Sequence, residues 1–484
     1  MNSEVRSLKP TALWNNFADL NAVPRASKKE ERVIAFMVDF GKNLGLETTV
    51  DPVGNVIIKK PATKGMENKK TIVMQSHLDM VHQKNNDTDF DFDTQGINMY
   101  IDGDWVKAKG TTLGADNGLG VATIMSILES NDIPHPAIEA LFTIDEETGM
   151  TGAMGLEAGY LNGEILLNLD TEDDDEIGVG CAGGIDITAT KSYLPEKTND
   201  TASAYCITVK GLQGGHSGMD IHKDFGNANK MINRVLFALK DISFIGKIDG
   251  GSLRNAIPRE SHALVVTENV KELEDKFYVI AKQIIDEYST IENDLEIDLE
   301  ECLLPDNVIP KKDSEILLKA IHTAHNGVYR MSPDIENLVE TSNNVARVIA
   351  VDGEMKVLCL TRSSIESGKM DLAHSITSGF ELAGFNVELG GSYPGWKPNP
   401  KSLILKVLEK TYQDLFNEKP NVQACHAGLE CGILGTNYPE IDMISFGPTI
   451  KGAHSPDERA NIRSTQKFWK YVLQILKNIP EKNN

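Results

Sequence analysis

The chain has no run of about 18 apolar residues, the length that a membrane-spanning helix needs. Its first residues, MNSEVRSLKP, hold no apolar signal core. Its six cysteines (Cys181, Cys206, Cys302, Cys359, Cys425, Cys431) are widely spaced and form no CxxC pair. These absences argue against a membrane span or a secreted disulfide scaffold, and a reduced cytoplasmic protein is expected. Basic residues are also in deficit: 48 Lys and Arg stand against 71 Asp and Glu, a net charge of -23. That balance disfavours nucleic acid and membrane surfaces as partners, without naming a substrate. There is no low-complexity linker and no array of short repeats. What remains is ordinary globular composition, 40% hydrophobic and 25% charged over 484 residues. A chain of that length exceeds what one core supports, so two or three domains are expected.

Up to about residue 185, short apolar runs alternate with helical patterns. Glu30–Leu44 reads as an amphipathic helix, and Val121–Glu129 as the start of a helix after a glycine-rich turn. This alternation predicts an α/β fold with a mixed, mostly parallel sheet and helices on both faces. The end of the chain returns to the same alternation, with a helix over Leu403–Phe416, a strand over Asp442–Phe446 and a helix over Thr465–Ile479. The middle reads differently. Ala204–Lys210, Ser261–Thr267 and Met355–Arg362 alternate like strands, while Phe225–Leu239, Val270–Tyr288 and Lys369–Ala383 are helical. An α+β domain inserted into the first fold is expected, with residues 1–185 and 391–484 forming the outer domain and 186–390 the insert.

Several apolar runs stop at acids or a histidine. KTIVMQS ends at His77, IEALFTI at Asp145–Glu146–Glu147, and ILLNL at Asp170. Open α/β sheets bind ligands beyond the carboxyl ends of their strands, so these residues should converge. With Asp116 and His454 they supply nitrogen and carboxylate ligands of the kind zinc takes when thiolates are absent. Two cations close together need a bridging carboxylate. Asp116, in Gly114-Ala-Asp-Asn-Gly-Leu-Gly120, is the candidate, because its glycines allow close backbone approach. His77 and Asp170 are assigned to one zinc, His454 and Glu147 to the other, and Asp116 to both. Asp79, two residues past His77, would orient the imidazole. Glu146 would be the general base.

Singly, these signals are weak. An HxD pair is ordinarily a surface pair, a Glu-Glu pair a solvated helix start, and Asp170–Glu176 a charged loop. The segment Gly114–Gly120 lacks the Lys-Ser/Thr of a phosphate loop and carries an acid where an anion would bind. His82, His135, His262, His322, His325 and His374 read as surface or core residues. The co-occurrence of the motifs in order carries the argument.

The ordered set SHLDMV, GTTLGADNGLGVA, TIDEETGMTGA, LLNLDTED, KGLQGGHSGMDI, NAIPR, HAGLECG and GPTIKGAHSPDER resembles the aminoacyl-histidine dipeptidases, within the clan of co-catalytic zinc exopeptidases. The resemblance runs from about Leu8 to Leu476. It implies a catalytic domain interrupted by a lid and two zinc ions, with cobalt or manganese as alternatives. It also implies the ligand set given above, Asp79 and Glu146 as catalytic acids, and a cis peptide after Asp116. From the lid it adds His216 as a contact to the substrate carbonyl and Asn255 as a second polar contact. Arg362 would bind a dipeptide carboxylate. Glu430, in HAGLECG, would meet a free amine. The expected activity is hydrolysis of unblocked dipeptides, Xaa-His included, by water activated between the two ions. A homodimer through the lid is among the expectations. Rival readings are an N-acyl amino-acid deacylase, a tripeptide aminopeptidase or a glutamate carboxypeptidase. From another class, the rival is a non-catalytic metal-dependent binding protein.

Overall fold

A computed structural model describes residues 2–399 and 401–482. The chain divides into two compact units: Met1–Gly180 with Pro398–Ala424 and Leu429–Asn484, and Cys181–Lys397 with Cys425–Gly428. The four-residue return to the second unit follows from backbone pairing. The Ala182 N–H donates to the carbonyls of both Cys425 and Ala427, at 3.0 Å each.

The first unit is built on an eight-stranded mixed sheet. Parallel pairing joins its middle strands, Ile138–Thr143, Ile72–His77, Ile165–Asn168 and Asp442–Ser445 in spatial order, and antiparallel strands flank them. Ile72–His77, Ile138–Thr143 and Ile165–Asn168 are buried along their whole length, as strands covered on both faces must be. Their register sets His77 beside Thr143 and Gln75 beside Asn168. The strands therefore stop at one level, and the residues that follow them emerge together.

Polar side chains cross these strands inside the apolar sheet. Gln75 Nε2 donates to Thr143 Oγ1 at 3.1 Å, Asn168 Nδ2 to Gln75 Oε1 at 2.5 Å, and Ser445 Oγ to Asn168 Oδ1 at 2.5 Å.

The helical segments fall close to their expected bounds, at Glu31–Asn43, Leu403–Phe416 and Ile462–Asn478. The glycine-rich segment turns ahead of a helix as expected: Asp116 and Asn117 hold non-helical φ/ψ, and the regular helix follows them and runs to Glu129. The Asp116–Asn117 peptide bond is cis.

The second unit is a nine-stranded sheet, with every described pairing antiparallel. Helices Ala228–Leu239, Val270–Tyr288, Lys311–Thr323 and Glu366–Leu382 pack on it through one core that includes Phe277, Leu236, Leu317 and Phe380. Among the described residues no helix is long and apolar enough to cross a membrane.

Candidate metal centre

The ends of the buried strands bring the acids and histidines of the first unit together. Ligand atoms of His77, Asp116 and Asp170 lie within 4.8 Å of one another, as do those of Asp116, Glu147 and His454. A third set joins His77, Glu146 and Glu147 under the same limit. Asp116 divides its carboxylate between the two imidazoles. Oδ1 is 3.2 Å from His77 Nε2, and Oδ2 is 3.3 Å from His454 Nε2. His77 Nε2 also lies 3.5 Å from Asp170, and His454 Nε2 lies 3.0 Å from Glu147 Oε2. Asp170 accepts a hydrogen bond from the Asn117 side chain. His454 holds φ at +64°, a region few non-glycine residues enter.

Asp79 stands behind His77, with its Oδ1 3.3 Å from Nδ1. The same carboxylate accepts the backbone N–H of Glu146 at 3.0 Å and of Glu147 at 3.2 Å, and the Ser27 hydroxyl at 2.8 Å. It thus orients both the ring and the Glu146–Glu147 turn.

Electrostatics fit this donor set to cations. Burial alone would lower the His77 pKa, but Asp170, Asp116 and Asp79 outweigh it and hold the ring well above its ordinary value. Burial would raise Asp116, yet its bonds to His454 and His77 keep it low. Burial raises Glu146 well above the carboxylate range, with Asp170, Glu430 and Glu147 adding and His77 opposing. Glu147 and Asp170 are raised as well, with burial leading. Buried acids outnumber imidazoles here, so divalent cations are the natural counter-charge. Glu147 Oε1 is buried without a hydrogen-bond partner, as a ligand oxygen would be.

Two residues that sequence reading passed over frame the centre. Glu458, 2% exposed, accepts four backbone N–H groups, those of Leu113, Gly114, Ala115 and Asp116. Burial pushes its carboxyl up to about 7, against the pull of those donors. Arg25, 1% exposed, donates to the carbonyls of Leu78, Asp79 and Gly114 and to Asn21 Oδ1. Their partners are mostly backbone, so no side-chain motif announces them; only the position of Glu458 four residues past His454 gives a hint.

Glu430 also lies in the first unit, fully buried. Its Oε2 accepts from Gln75 at 2.6 Å and from Thr143 at 2.7 Å, while Oε1 has no hydrogen-bond partner. Burial pushes this carboxyl up to about 8.

The remaining residues singled out in the sequence lie in the second unit. His216 is in a two-residue strand paired with Ala256–Ile257, next to Asn255, whose carbonyl accepts the Ser217 N–H at 2.7 Å. His216 Nδ1 accepts the N–H groups of Gly218 and Met219 at 3.2 and 3.0 Å, which places the ring proton on Nε2. Burial and the Arg362 charge lower its pKa. Arg362 is buried, donates to the Tyr393 hydroxyl at 2.7 Å, and leaves Nε without a partner. Ser342, its cross-strand neighbour, bonds His426 Nε2 at 2.8 Å. Burial and Arg362 push that imidazole down to about 3.

Comparison with known proteins agrees with this chemistry. The chain is 43% identical to the cytosol non-specific dipeptidase of Escherichia coli (strain K12) over 484 residues, covering 99% of this chain and 100% of that one. It superposes on the crystal structure of aminoacylhistidine dipeptidase from Vibrio alginolyticus with a TM-score of 0.94 and 46% identity, covering 99% of each chain. Aminopeptidase PepT from Bacillus cereus ATCC 10987 shares the fold alone, with a TM-score of 0.57 and 17% identity over 98% of this chain and 99% of that one. Residues 73–478 match peptidase family M20/M25/M40. The chain belongs to that family and is a peptide-bond hydrolase.

Proposed function

We propose that this hydrolase is a dipeptidase for unblocked dipeptides, Xaa-His dipeptides included, that works with two zinc ions. The observation that carries the reading is the divided carboxylate of Asp116, one oxygen toward His77 and the other toward His454. His77 and Asp170 would hold one ion, Glu147 and His454 the second, and Asp116 both. When bound, such a pair polarises the scissile carbonyl and makes water acidic enough to be a nucleophile at neutral pH.

The chain's own groups carry the protons. Glu146 takes one from water and returns it to the leaving amine. Burial moves its pKa above the ordinary carboxylate value, the direction that favours taking up the proton it then passes on. Asp79 fixes the His77 ring and the backbone on which Glu146 stands. His216, neutral with its proton on Nε2, donates to the carbonyl oxygen as negative charge develops there. Arg362 takes the substrate carboxylate, for which its planar fork is matched. Asn255 is assigned to a peptide polar group, and the unpartnered Oε1 of Glu430 to the free amine. Two features support substrate length: the dipeptidase names of the two relatives above 40% identity, and the buried Arg362 guanidinium.

The test is a substrate panel run after chelation and after zinc add-back. Free dipeptides should be cleaved only with metal, and far faster than tripeptides or N-acetyl amino acids. Preferential cleavage of either rival class, or full dipeptide cleavage by metal-free protein, would overturn the reading.

A further inference from the structure

Gly114 is gripped from both ends of its residue. Its N–H donates to Glu458 Oε2 at 2.9 Å, and its carbonyl accepts from Arg25 Nη2 at 2.5 Å. No side chain fits between them: a Cβ on Gly114 would stand 2.5 Å from Arg25 Nη2 and 2.8 Å from Met80 Sδ, and φ is +69°. Two opposite charges are thus buried in one place without touching, joined through a single glycine.

Each charge serves more than Gly114. Glu458 spends both oxygens on four consecutive backbone N–H groups, those of Leu113, Gly114, Ala115 and Asp116, in the turn that leads into the helix ending at Glu129. Arg25 reaches the other way, to the carbonyls of Leu78 and Asp79 at 3.0 Å each. The Asp79 carboxylate continues the chain to the N–H groups of Glu146 and Glu147. Glu458 itself lies on the segment that carries His454. One continuous run of hydrogen bonds therefore ties the four segments that present His77, Asp116, Glu147 and His454. The fifth, with Asp170, joins through Asn117.

We propose that Arg25 and Glu458 are positioning residues that preform the metal centre, fixing the Asp116 carboxylate between His77 and His454 before any ion binds. The inference rests on the metal-binding reading given above. A preformed site binds without having to order its loops, and partners behind the ligands commonly contribute 10–100-fold in metal affinity. Glutamine at 458 would turn an NH2 group toward backbone N–H donors. Arg25→Met would take the guanidinium donor from the Leu78, Asp79 and Gly114 carbonyls, whereas Arg25→Lys would restore part of it.

The test uses the full chain, stripped by chelation and titrated with zinc against a chromophoric chelator. Glu458→Gln and Arg25→Met should lose about 10–100-fold in zinc affinity at both sites, and Arg25→Lys should recover part of the loss. The cobalt(II)-substituted variants should show altered d–d spectra. Val472→Ala, a core truncation in the same unit, controls for general destabilisation: it should lower Tm and leave zinc affinity and the cobalt spectrum unchanged. If Glu458→Gln fails to fold, the Arg25→Lys titration decides alone, since wild-type affinity and spectrum in that variant would overturn the proposal. Lowered Tm with wild-type affinity in the Met and Gln variants would also overturn it. If the wild-type chain itself takes up fewer than two ions, the underlying metal reading fails first.

Discussion

The Asp79 carboxylate holds the backbone N–H of Glu146 at 3.0 Å while it faces the His77 ring at 3.3 Å. One side chain thus aligns a proposed metal ligand and the proposed proton carrier. Asp79→Asn keeps the shape but sets an NH2 group toward one of its donors. We expect zinc affinity to fall about 10–100-fold and kcat to fall further at saturating zinc. Isothermal titration and steady-state rates at fixed free zinc would check both.

Asp116 faces two imidazoles and belongs to two of the three ligand sets, His454 to one. Asp116→Ala should therefore lose both ions, and His454→Ala chiefly one. Metal analysis of the purified variants distinguishes these outcomes; two tightly held ions in Asp116→Ala would end the bridging assignment.

Glu146→Gln removes the proposed proton carrier and leaves the five assigned ligands intact. Loss of a general base typically slows turnover about 10²–10⁴-fold. Metal content should match the wild type, and retention of most turnover would move the role to another group.

His216→Ala should cost about 10²–10³ in kcat, with KM nearly unchanged. The pH dependence gives a second check. Burial and Arg362 lower the His216 pKa, so the imidazole is neutral above its ordinary value and through the neutral range. The ratio of wild-type to mutant kcat should stay flat from about pH 7 to 9. A ratio that rises or falls through that window would show that His216 itself titrates there.

Arg362→Ala should raise KM for dipeptides and narrow their advantage over C-terminally amidated analogues. Unchanged discrimination in the mutant would rule out carboxylate binding by this residue.

The strand ends were legible in the sequence because fully buried strands read as apolar runs, and a run that stops at His77 or Asp170 marks its own carboxyl end. Helix Val270–Tyr288 was legible to the residue, since its apolar positions repeat at helical spacing and Asn269 caps it. What holds the turn ahead of the helix was not: glycines and an acid mark the turn, but its four N–H groups meet the Glu458 carboxylate, distant in sequence, and backbone groups carry no side-chain signal. Arg25 was illegible for the same reason, because its partners are mostly carbonyls that every residue carries. Nor does composition reveal that Cys425–Gly428 belongs with the second unit, a matter of two backbone hydrogen bonds to Ala182.

The polar ladder across Thr143, Gln75, Asn168 and Ser445 has a bearing on assembly. Strands buried on both faces have little to tell one alignment from the next, because Val, Ile and Leu pack almost as well after a slide of two residues. A slide here would strand amides and hydroxyls in an apolar sheet, at about 1–3 kcal/mol for each group left unpaired. The ladder thus works as a set of tally marks cut across adjacent rulers: the strands lie correctly only where the marks meet. Since His77, Glu146 and Asp170 project from the ends of those rulers, the spacing of the proposed ion-binding groups is decided deep in the sheet, by residues assigned to no ion.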